Sequence, residues 1–230
     1  LDKGTGGVTT AKSTLTAVKL LHSAENGELT VVKVKNATSD AGADVAFLSF
    51  GHNAWTVKIT ELEKVKEMVT SAAAQHSVVV VLFHGGAEGV TKTHVTNAHE
   101  YYIGEDRGNV YAFAHTAIDS GADLVLGSGP HVIRGIEKYK TGLAVYSAGN
   151  FLTTEGMNSN SLLGKAAIFT ITTDQNGVLK KLSILSTSSQ TKNSITIDPS
   201  NESLNNIITL TKQDFGQTIS ADENGTITFF

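Results

Sequence analysis

The sequence predicts an α/β protein built from βαβ units, and three observations carry that reading. Ala43–Phe50 (ADVAFLSF) and Val78–Phe83 (VVVVLF) are almost wholly apolar, as strands covered on both faces of a sheet must be. The segments Thr60–Ala74 and Asn109–Ser120 carry apolar residues at helical spacing. Strand, helix, strand, helix, strand is the order that builds a mostly parallel sheet.

Taken in order, Gly4, Gly6 and Gly7 predict a turn. A helix to Leu21 follows, with Ala11, Leu15, Val18 and Leu21 on one face and Thr9 or Thr10 as its cap. The Asn26-Gly27 turn leads into an alternating strand over Leu29–Val34. Ala43–Phe50 is the next strand. In the helix over Thr60–Ala74, Thr60 and Glu63 have the spacing of a capping box, and Leu62, Val65, Val69 and Ala73 form the inward stripe.

Val78–Phe83 then ends at His84, and a helix over Asn109–Ser120 turns Val110, Phe113, Ala114 and Ala117 inward. The stretch Asp119–Phe151 packs three strands close together: Leu124–Leu126, His131–Tyr139 and Leu143–Ser147. Beyond Asn150 the pattern changes. Ala166–Thr173 and Leu179–Ser186 alternate around Asp174-Gln175-Asn176-Gly177, which is a hairpin signature. Ser186–Ser194 reads as a loop or weak edge strand, Ser203–Leu210 as a short helix, and Asp222–Phe230 carries a further Asn224-Gly225 turn.

At 230 residues the chain is long enough for one large domain or two small ones with a sizeable core. Its formal charge of −4 argues against a nucleic-acid partner, which normally demands a basic face. No apolar run approaches the roughly 18 residues of a membrane span. With no cysteine, disulfide scaffolds and thiolate metal sites are excluded. The chain begins at Leu1 without signal-peptide features, so the expectation is a processed or shortened product. Its wealth of Ser, Thr, Asn and Gly suits a surface-exposed protein.

Polar residues at the strand ends are the candidates for chemistry, since turns on a rigid scaffold carry functional groups. His84 directly follows the buried strand, and Gly85-Gly86 let the backbone turn sharply beside it. Glu88 stands near enough in sequence to orient that imidazole. His131 repeats the arrangement after Gly127-Ser128-Gly129-Pro130. Two such histidines share one edge of an α/β sheet, where ligands gather and metal sites are built; each is also readable as a plain hydrogen-bonded turn residue. Arg134 is a candidate anion ligand, or else an ordinary ion pair with Glu137 or Asp119. His94 and His99 lie in the polar segment Thr91–Arg107, which is either a solvated loop or a substrate-facing insertion. His22, His52, His76 and His115 carry no comparable signal, and Trp55 reads as core.

The motifs HGGAEG, RGNVYAFAHTAIDSGADLVLGSGPHV, RGIEKY and YSAGNF, in this order, resemble those of the CapA family of capsule (poly-γ-glutamate) biosynthesis proteins. That family is similar to the calcineurin-like metallophosphatases. LDKGTGGVTTAKSTL resembles the text that follows the family's Asn-Asn-His motif, and LTKQDFG its C-terminal part, so the resemblance covers nearly the whole chain.

The resemblance implies a four-layer α/β/β/α sandwich lacking its N-terminal strands in this chain. Residues 1–230 would be the C-terminal part of a single domain, with about 1–155 the α/β sheet and site loops and about 156–230 a β-rich part. It implies two divalent metal ions (Mn, Fe or Zn) in the complete protein, with His84 and His131 as metal ligands and Asn150 beside them in a catalytic site. Arg134 and Glu88 would meet the substrate, an anionic polymer or a phosphorylated compound. The reaction would be hydrolysis of a phosphoester or amide-type bond in surface-polymer production, outside the cytoplasm or at the bacterial surface. A separate N-terminal segment or chain would complete the fold. Ser128 stands where many relatives have a histidine, and the family's earlier Gly-Asp, acidic and Asn-Asn-His motifs do not occur. The alternative is therefore a degenerate, non-catalytic module that binds polymer or a partner.

Overall fold

The computed structural model describes residues 9–11, 13–15, 29–36, 39–152, 161–189 and 194–230. Residues 9–11 and 13–15 are helical, matching the start of the expected helix. Its continuation to Leu21, the Gly4-Gly6-Gly7 turn and the Asn26-Gly27 turn lie outside the described residues.

The core of the molecule is a mixed, mostly parallel sheet. It is made from β1 (Thr30–Asn36), β2 (Ser39–Gly51), β3 (Val57–Lys58), β4 (Val78–His84), β7 (Leu124–Ser128), β8 (Ile136–Tyr139) and β9 (Gly142–Val145), while β5 (Tyr101–Tyr102) and β6 (Glu105–Asp106) form a separate small hairpin. The strand order is β1-β2-β4-β7-β9-β8, with β3 beside β2. Strands β2, β4, β7 and β9 run parallel; β1 and β8 close the two sides antiparallel.

Period-2 burial decides what covers each face. Val79, Val81 and Phe83 of β4 point with Leu48 and Phe50 of β2 toward helices α1 (Leu62–Ala73) and α2 (Val110–Asp119). There they meet Val65, Val69, Phe113, Ala114 and Ala117, all with no exposed surface. Val78 and Val80 point the other way. They join Leu143 and Val145 under a second layer made from β10 (Lys165–Thr173), β11 (Leu179–Ser188) and α3 (Glu202–Phe215). β12 (Thr196–Ile197) extends that second sheet, and β13 (Ile219–Ala221) pairs with β14 (Ile227–Phe229) across the Asn224-Gly225 turn. Each large aliphatic side chain buried in these layers contributes about 1.5–3 kcal/mol.

Several local expectations are corrected. α1 starts at Leu62 with Glu61 as its N-cap residue and no side-chain cap, so the Thr60/Glu63 capping box does not form. Glu61 instead turns its carboxylate back to accept from the amide of Lys58 (3.0 Å). The strand expected over His131–Tyr139 is confined to Ile136–Tyr139, because His131 adopts φ = 62° and breaks the extended run. The short helix expected over Ser203–Leu210 extends to Phe215 and stops where Gly216 turns left-handed (φ = 69°). The hairpin around residues 174–177 forms as β10 and β11.

Candidate functional site

The parallel strands β2, β4 and β7 end side by side, and their register determines what meets at that edge. Phe50 pairs with Phe83, and His84 pairs with Ser128. His52, His84 and Ser128 therefore leave the sheet together, with His131 three residues after Ser128. The sequence singles out His84 and His131 and misses His52. Yet the signal is the same one: an apolar strand, a glycine and then a histidine (ADVAFLSFGH).

The rings of His52 and His84 lie 5.4 Å apart, tilted by 36°. Nδ1 of His52 lies 3.3 Å from the carbonyl oxygen of His84. Nδ1 of His84 lies 3.2 Å from the hydroxyl of Ser128, which itself donates to the carbonyl of Phe83 at 3.1 Å. Burial first, and then the neighbouring His52 and Arg107, pushes the His84 pKa down to about 4. Burial lowers that of His52 as well. The His84 imidazole is therefore neutral at pH 7.

A guanidinium joins the two sides of this edge. Arg107, with a side chain 10% exposed, donates from Nη1 to Glu88 (3.0 Å) and from Nη2 to Glu105 (3.0 Å), and lies 5.3 Å from the ring centre of Tyr102. Glu105 faces Nε2 of His52 at 3.6 Å, and Glu88 faces Nδ1 of His131 at 3.3 Å. Glu88 thus pairs with Arg107 and His131, and orients His131 rather than His84.

Arg134 has no exposed surface, and its fork is filled by Glu100: Nη1 to Oε1 at 2.8 Å and Nη2 to Oε2 at 2.7 Å. Its Nε donates to the carbonyl of Lys92 (2.8 Å). Its ion-pair partner is therefore neither Glu137 nor Asp119, and contact with a substrate would require this pair to open. Glu137 is buried instead with His115 (2.9 Å) and the hydroxyl of Tyr146 (2.8 Å), on the α2 side of the sheet.

The polar segment Thr91–Arg107 is fastened to the body at several points. Besides Arg134–Glu100, the carboxylate of Asp214 in α3 accepts from the Val95 amide (2.9 Å) and pairs with His94 (2.7 Å). His99 pairs with Asp106 within the segment (2.9 Å). Asn150 lies past the C-terminal end of β9, and its amide donates to the carbonyl of Leu163 (3.0 Å). Among the described residues, no group of three or more His, Asp or Glu side chains converges as a metal would require. The donor chemistry of neutral His84 and of His131 suits a divalent cation, but the described residues alone do not complete its ligand set.

Fold and strand edge together define an α/β protein whose candidate site is a row of histidines at the carboxyl ends of parallel strands. The family model described as bacterial capsule synthesis protein PGA_cap matches residues 1–155, and the chain belongs to this family. It is similar to the capsule biosynthesis protein CapA of Bacillus anthracis, 38% identical over 64 residues, covering 27% of this chain and 16% of that protein. It is also similar to the PGA biosynthesis protein CapA of Bacillus subtilis strain 168, 30% identical over 89 residues, covering 39% of this chain and 20% of that protein. The matches thus span about a fifth or less of those relatives' length. Among solved structures, a putative 5'-nucleotidase from Staphylococcus aureus aligns at 15% identity with a TM-score of 0.43, covering 88% of this chain and 38% of that one. The Plasmodium inner-membrane-complex anchor GAP50 aligns at 11% identity with a TM-score of 0.38, covering 80% and 60%.

Proposed function

We propose that this capsule-synthesis family member is part of a metal-dependent hydrolase that cleaves a phosphoester or amide-type bond in the production of a surface polymer such as poly-γ-glutamate. The observation that carries this reading is the placement of His84 at the carboxyl edge of parallel strands, its ring 5.4 Å from that of His52 and its strand partner Ser128 three residues before His131; burial favours its neutral form. A neutral imidazole is the form that ligates a cation. His84 and His131 are the proposed metal ligands, and Asn150, past the end of β9, the proposed third catalytic residue. Glu88 holds His131 by its Nδ1, and Arg134 shapes the wall of the site through Glu100. Two bound Mn, Fe or Zn ions would supply Lewis acidity and a hydroxide nucleophile at neutral pH. The remaining ligands would come from a separate segment or chain that completes a four-layer metallophosphatase-like sandwich. Substrates in this reading are an anionic polymer or a phosphorylated compound, handled at or outside the bacterial surface. No helix among the described residues is long and apolar enough to cross a membrane.

The test is elemental analysis of the intact protein beside His84→Ala and His131→Ala, with phosphodiester and γ-glutamyl-amide turnover measured on the same samples. Close to two equivalents of metal in the wild type, lost with turnover in both variants, is the expected result. A second reading, a non-catalytic module that binds polymer, is favoured by Ser128, because a neutral hydroxyl is a poor ligand for a transition metal. A wild-type protein without metal or turnover that still binds the polymer would establish it instead.

A further inference from the structure

We infer that Ser128 is a positioning residue that holds His84 in a single tautomer, Nδ1–H with the Nε2 lone pair free. The argument rests on counting protons. A serine hydroxyl has one proton to donate, and a backbone carbonyl can only accept. Ser128 Oγ lies 3.1 Å from the carbonyl of Phe83, so its proton is directed there. The same Oγ lies 3.2 Å from Nδ1 of His84 and can then only accept, which places the imidazole proton on Nδ1.

His84 therefore presents its Nε2 lone pair, oriented through the opposite nitrogen, which is how a protein aims a histidine at an electron-pair acceptor. Ser128, too poor a donor to act as a ligand itself, serves here as the acceptor that orients one.

This inference assigns a positioning residue to the proposed metal site and so rests on that reading, but its test does not depend on metal uptake or turnover. Ring-nitrogen NMR of the intact protein, labelled with 15N-imidazole histidine and kept free of metal at neutral pH, reads each tautomer directly. The wild type should show His84 with a protonated Nδ1 and an unprotonated Nε2. Ser128→Ala should let the two ring-nitrogen signals of His84 move toward their tautomer average, and Ser128→Thr, which keeps the hydroxyl, should restore the wild-type pattern. The signals of His115, held by Glu137 between α2 and the sheet, report whether each variant keeps its fold. An Nε2–H form of His84 in the wild type overturns the inference, and so does an unchanged His84 pattern in a folded Ser128→Ala protein. If Ser128→Ala does not fold, the wild-type spectrum decides alone. The expected tautomer in a protein that takes up no metal would sink the hydrolase reading and leave this one standing.

Discussion

Arg134 and Glu100, thirty-four residues apart, form a bidentate pair at 2.7 and 2.8 Å around a guanidinium with no exposed surface. The pair ties the turn after β7 to the segment Thr91–Arg107, and Glu100 also accepts from the amide of Ala87 (2.8 Å). Removing one partner strands a buried charge. Glu100→Gln or Arg134→Lys should therefore cost about 3–5 kcal/mol in urea unfolding, the lysine because an ammonium cannot reproduce the planar fork. The double variant Arg134→Met, Glu100→Leu should recover part of that loss. A single-variant cost below about 1 kcal/mol would show that the pair is not buried as described.

Gly86 occupies φ = 85°, and a Cβ there would lie 2.9 Å from Nη1 of Arg134 and 3.3 Å from Cγ of Pro130. Gly89 is also left-handed, at φ = 115°, but has nothing within 4 Å. Gly89→Ala should therefore show backbone strain alone, about 1–2 kcal/mol. Gly86→Ala should cost more, since it adds a clash with a guanidinium that cannot move away from Glu100. Equal losses would mean that the contact with Arg134 is relaxed at little cost.

Asp198 is buried, and its carboxyl pKa is lowered to about 2, first by the Ser200 hydroxyl (2.6 Å) and also by Lys165 (2.9 Å). A carboxylate whose folded pKa lies below its unfolded value stabilises the fold above that unfolded value, near 3.8, and loses the contribution as pH falls toward 2. The loss should amount to about 2 kcal/mol between pH 5 and 2. Asp198→Asn should be less stable at pH 7 and show a flatter acid profile over that window. An unchanged acid slope would show that Asp198 titrates normally.

Asp214, in the last turn of α3, holds the amide of Val95 and the ring of His94. Asp214→Asn removes the charge that strengthens both bonds, at about 1–3 kcal/mol of local stability. Amide hydrogen exchange should quicken at Val95 and its neighbours while β4 and β7 keep their protection. Uniform acceleration across the sheet would mean that the latch supports the whole fold rather than one segment.

Much of the architecture is legible in the sequence because burial imposes a period. Val78–Phe83 and Ala43–Phe50 are strands since both their faces are covered, and Val65, Val69 and Phe113 form helical stripes since only one face of each helix is. His84 and His131 stand out as polar residues that end buried runs. What the residues cannot announce locally is long-range geometry. The Thr60/Glu63 spacing predicts a cap, but Glu61 turns back to Lys58 and the helix starts two residues later than Thr60. The extended reading of His131–Gly135 fails because His131 is left-handed, a state set by the surrounding turn and not by its own preference.

By itself, the sequence determined the α/β alternation, the apolar strands and the family motifs, because periodicity and residue type act over a few neighbours. Tertiary structure alone decided that His52 stands beside His84, that Arg107 links Glu88 to Glu105, and that Arg134 belongs to Glu100. Those relationships follow from parallel strand register and from matching charges across tens of residues, where the energetic competition is between whole packings and no local pattern records the outcome.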